Sequence, residues 1–355
     1  MNKLWLWLAV FASSGLLLVS CEDNIGQESG GTARPIGAAS EEETTKTVNV
    51  KDVALNNGVL YLLSNPGPFS GLLSENWQNG KNKYQCAYTD GLKNGWELAW
   101  YENGERKLTA QFKAGIQEGQ SKEWWSNGHN KSITTYLNGK PYDEARGWHD
   151  NGKLAGVVKY KEGIPVGKSE RWWKNGVRAE VIDHLNGKPN GYSTKWYSNG
   201  KTNRITFNRN GMKQGIETTW HPNGQKKMEL TFQDGKPNGE VIEWHPNGQR
   251  LSVTHYANGI EQGPGMGWRL DGKVLWQGNW KDGQRQGPFI ILHSNGLKKL
   301  EMDFNAGILM RTRKFNIQGK LTGEVVRPPG RTIHWTVKRL ENIKATKQQI
   351  QQSFG

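Results

Sequence analysis

One spacing constrains this chain more than anything else in it: glycine recurs every 24 residues, in two parallel ladders. The first runs Gly80, Gly104, Gly128, Gly152, Gly176, Gly200, Gly224, Gly248, Gly272, Gly296. The second runs Gly91, Gly115, Gly139, Gly163, Gly187, Gly211, Gly235, Gly259, Gly283, Gly307. A fixed period of this length marks a tandem-repeat architecture, in which each unit buries its apolar side against its neighbours. Composition agrees. Only 34% of the 355 residues are apolar, yet 17 are tryptophan and 45 glycine. That is too little for a thick core and suits a thin array that buries large rings.

Inside the unit the pattern is that of a hairpin. Asn precedes the first-ladder glycine in nine of ten units, with Asp271 the exception. Trp stands four residues before that glycine in eight: Trp100, Trp124, Trp148, Trp172, Trp196, Trp220, Trp244 and Trp268. After it, apolar residues fall on even offsets, as in Met228, Leu230 and Phe232, or Tyr84, Cys86 and Tyr88. Period two predicts strands with one buried face. A three-residue loop, Pro222-Asn223-Gly224, with a bulge at its glycine, places Trp220 on the face of Met228 and Phe232. The spaced pair Gly-x-x-x-Gly, as in Gly235 to Gly239, supplies the second reversal. The expected fold is all-β: an elongated antiparallel β-meander or solenoid of about ten 24-residue hairpin repeats over residues 53–322. Residues 53–72 read as an atypical capping unit. Residues 323–355 read as a C-terminal cap and polar tail, with a strand at Thr332–Leu340 and a short helix at Glu341–Gln352.

The N-terminus has the layout of a lipoprotein signal. Lys3 precedes an apolar run from Leu4 to Val19, and Leu18-Val19-Ser20-Cys21 resembles a bacterial lipobox, with Cys21 as the lipid-attachment residue. Residues 1–21 are thus expected to direct export to the bacterial cell envelope, at the periplasmic face or cell surface. Residues 22–52 are poor in large apolar residues and predict a disordered linker. A net charge of +14 favours acidic partners, and export excludes nucleic acid among them. Cys86, the one other cysteine, has no partner for a disulfide and reads as core filler.

The run Phe232-x-x-Gly235-x-x-x-Gly239 through Trp244-x-x-Asn247-Gly248 resembles the MORN repeat, in the variant found in the YwqK-family antitoxins. The likeness covers about residues 57–321, with Asp143 and Arg311 departing from the second glycine of the spaced pair. It implies a scaffold fold and opens toxin neutralisation, lipid contact and protein scaffolding as roles.

Chemistry is sparse. No nucleophile elbow, phosphate loop or paired-cysteine zinc pattern is present, so a non-enzymatic role is expected. His149, His221, His245 and His293 share one repeat position, whose adjacent copies lie about 10 Å apart, too far for a common metal, and no cofactor is implied. Two features point to binding. Trp125 and Trp173 double the tryptophan of their units, and on the hairpin parity they point away from Met228 and Phe232 as candidate exposed anchors. A cation follows the first-ladder glycine within three residues in every unit: Lys81, Arg106, Lys131, Lys153, Arg178, Lys201, Lys226, Arg250, Lys273 and Lys298. This row reads either as solubilising charge or as a docking edge. The leading reading is a lipid-anchored scaffold for a protein partner, an acidic toxin or envelope protein, with an antitoxin- or immunity-like role. The alternative is an envelope-associating module that grips anionic lipid or glycan through the basic edge.

Overall fold

A computed structural model describes residues 46–327. The signal segment, Cys21, most of the linker and the tail elements expected at Thr332–Leu340 and Glu341–Gln352 lie outside the described residues. Apart from a 3-10 turn at Val50–Asp52, every regular element among the described residues is a strand or part of one. The chain divides into two units, Met1–Lys236 and Pro237–Gly355. Both are built from the same hairpin.

In the first unit, strands from Gly71–Asn76 to Lys226–Gln233 each pair antiparallel with their neighbours in sequence, the meander expected from the spacing. Two turn types alternate. At the first-ladder glycine the loop has three residues: Gly224 N–H donates to His221 O at 2.8 Å, and His221 N–H to Gln225 O at 2.8 Å. Gly224 closes it at φ 93°, a backbone that glycine adopts without steric cost. At the second ladder the loop has two residues, both left-handed, as at Asn138 (φ 51°) and Gly139 (φ 73°). The expected Gly-x-x-x-Gly reversal is therefore two devices. The first glycine makes the tight turn. The second lies inside the strand, at a register shift such as that beside Gly191 (φ 112°). Asp143 takes that place at φ 59°.

The parity derived from the loop alone is overturned. Trp220 lies opposite Lys226, but Thr219 lies opposite Met228, so Lys227 is an extra residue in the ladder. One inserted residue exchanges the two faces of a strand. Thr219, Glu217 and Gly215 therefore share a face with Met228, Leu230 and Phe232, and Trp220 lies on the other. The same shift follows Trp100, Trp124, Trp148, Trp172 and Trp196. The indoles do gather on one side, but it is the side away from Met228.

The N-terminal end is capped. Val53–Asn56, Val59–Leu62 and Asn65–Pro68 form a separate three-stranded sheet. Leu60 and Phe69 from this segment bury against Leu73, Tyr84, Cys86 and Tyr88 of the first hairpins. Cys86 is indeed core, 1% exposed. The linker is shorter than expected. Thr47–Asn49 is a strand parallel to Gly71–Asn76, because Val48 and Val50 pack on that same cluster.

The second unit repeats the hairpin from Lys236–Trp244 to Leu321–Val326. Trp244 and Trp268 show the same one-residue shift. The array thus runs to Val326 rather than ending at 322. Where Arg311 replaces glycine, the strand bulge narrows: Asp303 faces Arg311 and Phe304 faces Leu309, a single extra residue.

The turn asparagine is explained by what its two side-chain atoms do. Its Oδ1 accepts the N–H two residues on, as in Lys201 N–H to Asn199 at 3.1 Å. Its Nδ2 donates to the next turn: Asn127 to Asp150 O at 2.7 Å, Asn175 to Ser198 O at 2.7 Å, Asn199 to Pro222 O at 2.9 Å. Only an amide does both. Asp271 accepts from Lys273 N–H at 3.0 Å but has nothing to donate. Asp271→Asn is expected to raise stability by about 0.5–1.5 kcal/mol, one added hydrogen bond. Urea denaturation checks this, and a variant no more stable than the parent refutes the account.

Candidate partner-binding surface

The residue after each tryptophan ties one repeat to the next. Trp125 Nε1 donates to Trp148 O at 3.0 Å, and Trp173 Nε1 to Trp196 O at 3.0 Å. Tyr101 and Tyr197 hydroxyls do the same to Trp124 O and Trp220 O, at 2.8 and 2.7 Å. His149 Nε2 lies 2.9 Å from Trp172 O; a carbonyl only accepts, so Nε2 carries the proton. In the second unit His245 and His293 reach Trp268 O and Phe315 O at 3.2 and 3.1 Å. The position selects for a side chain with an N–H or O–H at its tip, a ring in these repeats and Arg269, which donates to Leu292 O, in another. Trp125 and Trp173 therefore sit on the Met228 side as repeat-to-repeat ties, although Trp173 remains 43% exposed.

The cation row is also largely engaged within the chain. Lys81, Lys153 and Lys201 Nζ donate to the carbonyls of Asn103, Asn175 and Asn223, at 2.7, 2.9 and 2.6 Å. Lys131, Arg178, Lys226 and Lys298 form ion pairs with Glu123, Glu170, Glu229 and Glu301. Arg106 lies over the Trp100 ring, its guanidinium carbon 5.6 Å from the centroid. Arg250 and Lys273 are exposed. Most of the row is therefore not a set of free outward charges. Lys81, Lys153 and Lys201, one residue after the glycine, close the next turn, whereas Arg106, Lys131, Arg178, Lys226 and Lys298, two or three after it, engage groups of their own hairpin.

The Met228 face carries what differs between repeats. Four residues after the first-ladder glycine the first unit presents Tyr84, Leu108, Ser132, Gly156, Glu180, Arg204 and Met228 there, and the same position in the second unit's own hairpins holds Ser252, Trp276 and Leu300. Short polar groups there lie low between longer ones: Ser132, Ser169 and Thr206 are all buried. Cations on this face are mostly paired one to one, as in Lys83–Glu75 at 2.5 Å, Lys93–Glu97 at 3.3 Å and Lys213–Glu217 at 2.6 Å. Burial holds the Glu97 carboxyl above the ordinary glutamate range, against the opposing pull of Lys93.

One stretch breaks that balance. The register places Arg171, Glu180, Lys195 and Arg204 side by side on four consecutive strands. Glu180 is buried and bridges two cations, Lys195 Nζ at 2.7 Å and Arg171 Nη1 at 3.3 Å. Arg204 has no carboxylate partner among the described residues, and its Nε is shut off from solvent without a hydrogen bond. Below lie Ser169, Ser193 and Thr206, with His184, whose imidazole burial keeps below the usual histidine range. Sequence reasoning passed over these residues, because Arg171 and Lys195 precede a tryptophan and belong to no recurring column of charge. Only pairing across strands brings them together.

The second unit holds a different exception. Trp276 stacks on Phe289 at 5.5 Å and 15°, with Trp280 edge-on to both. These rings lie over Gly265, Gly267 and Gly278, three glycines outside both ladders. Their departure from the ladders is the sequence signal that marks them. Among the described residues no three His, Cys, Asp or Glu side chains gather as a metal set.

No curated protein matches this chain. Among solved structures it is similar to chains in the crystal structures of TcdB2-TccC3 (12% identity, TM-score 0.15) and TcdB2-TccC3-Cdc42 (10% identity, TM-score 0.12). In each case 72% of this chain is covered. It spans 19% and 18% of the length of those chains, and at such TM-scores the likeness carries no functional argument. The family comparison is specific: residues 213–234 and 237–258 match the MORN repeat variant, so the hairpins of this array include MORN repeats.

Proposed function

We propose that this protein is a non-catalytic repeat scaffold that binds a protein partner. The supporting observation is a division of labour between positions. Residues that recur in nearly every unit are engaged in repeat-to-repeat bonds: the turn asparagines, the ring-tip donors and several of the turn cations. Residues that change from unit to unit occupy the Met228 face and carry varied charge and shape. Recurring positions build a repeat array, and varying ones let it recognise something outside itself. The lipobox-like sequence at Cys21 adds a lipid tether in the envelope. The net charge of +14 adds a preference for an acidic partner, as in neutralisation of an exported toxin.

The test is co-purification of the full chain from envelope extract in mild detergent. A stable stoichiometric complex with one protein is expected. Binding instead to anionic vesicles, falling steeply with salt and removed by charge reversal of Lys153, Arg178, Lys201 and Lys226, would replace this reading with the lipid-gripping one. The internal bonds of Lys153 and Lys201 argue against that outcome.

A further inference from the structure

We infer that Arg171, Lys195 and Arg204 form a carboxylate-binding site on the Met228 face, filled by an acidic segment of the bound protein. This rests on the protein-partner reading above and names where charge recognition occurs.

Three cations and one carboxylate on four adjacent strands leave two positive charges unbalanced. Lys195 and Arg204 lie directly opposite one another, one strand spacing apart, about 5 Å. Like charges so placed destabilise a sheet. Glu180 relieves Lys195 but does not pair with Arg204. The Arg204 Nε lies out of water and unbonded, so this guanidinium is poorly solvated and not offset from within the chain. A ligand oxygen that pairs with the open part of a half-buried guanidinium gains more than one meeting a fully solvated cation. The cations remain reachable: the Arg171 and Lys195 side chains are 41% and 28% exposed.

The same geometry selects among anions. Glu180 stands between Arg171 and Lys195, and its charge repels whatever enters. Attraction by the three cations and repulsion by Glu180 both scale with the charge of the ligand group, so the length of the row, not charge alone, selects the anion. The row from Arg171 to Arg204 spans three strand spacings, about 14 Å. That is room for two separate carboxylates, one at Arg171 and one at Lys195 and Arg204. Two acidic side chains of one polypeptide segment fit it better than a single compact dianion.

The experiment uses the full chain in detergent and a hexaglutamate peptide, with inorganic phosphate as the competing probe. Calorimetry or fluorescence anisotropy reads affinity. Arg204→Gln is expected to weaken peptide binding about 10-fold, and Lys195→Gln with Arg204→Gln about 100-fold. Arg204→Lys, which keeps the charge, retains most of it. Lys153→Gln with Lys201→Gln, whose ammonium groups serve turns, changes it less than 3-fold by the same scale. Equal peptide affinity in the double variant, with its melting temperature unchanged, overturns the site. So does phosphate binding tighter than the peptide. If a partner co-purifies equally well with parent and double variant, the scaffold reading stands and this site falls. If no partner is captured but the peptide binds in this charge-dependent way, the site stands and the scaffold reading falls.

Discussion

Gly91→Val is expected to detach the N-terminal cap and cost about 3–5 kcal/mol, the sum of left-handed backbone strain and overpacking. Gly91 sits at φ 75°, where a β-branched residue is strained wherever it occurs. Space is lacking as well. A Cβ there would overlap Val59 Cγ1 and stand 2.8 Å from Leu60 O and 3.0 Å from Leu60 N, atoms of backbone that cannot swing away. The turn is also where the cap is fastened: Leu60 N–H donates to Gly91 O and Gly91 N–H to Phe69 O, both at 2.8 Å. Gly115 is the control. It has the same turn position and φ 81°, but a Cβ would meet only the Leu92 side chain, with Cδ2 nearest at an ordinary 3.5 Å. Gly115→Ala should therefore show strain alone, and Gly91→Ala strain plus collision. Urea denaturation measures both, and limited proteolysis shows whether cleavage begins before residue 71. If the two alanine variants lose equal stability, the close approach of the cap is wrong.

The second large effect is expected at Gly267. Its φ is not in the left-handed region, so alanine there tests space alone. A Cβ would meet the Trp276 indole with Cε2 at 2.5 Å and Cδ1 at 2.7 Å. The indole has no easy retreat, being stacked on Phe289 and edge-on to Trp280. Gly267→Ala should cost about 2–3 kcal/mol, the upper range for a forced shift in a packed cluster. Near-ultraviolet circular dichroism should change with it, since the exciton partners move. Adding Trp276→Leu should recover part of the loss, and the coupling in that double-mutant cycle is the decisive quantity. Additive effects would mean that the ring does not lie over the glycine.

Gly91 belongs to a visible ladder, and its turn role follows from the 24-residue period. That it also carries the cap does not, because Leu60 and Phe69 are brought to it by a separate small sheet. Gly267 broke the periodicity, but its reason lies across the ladder, where the register sets Trp276 directly opposite.

The period, the strand alternation and the Asn-Gly turns were legible in the chain as written, because turn chemistry and side-chain period are local properties. Ten in-phase copies made the hairpin array certain to be read. The face of the tryptophans was not legible. It depends on one extra residue after each turn, and a single residue reverses every side chain in a strand of period two. Lys227 looks in the sequence like any outward lysine; only the pairing of Thr219 with Met228 shows that it stands outside the count. The charged row of Arg171, Glu180, Lys195 and Arg204 was decided in the same way. Its members are up to 33 residues apart along the chain. Strand pairing alone sets each about 5 Å from the next, and charge balance is a property of neighbours in space.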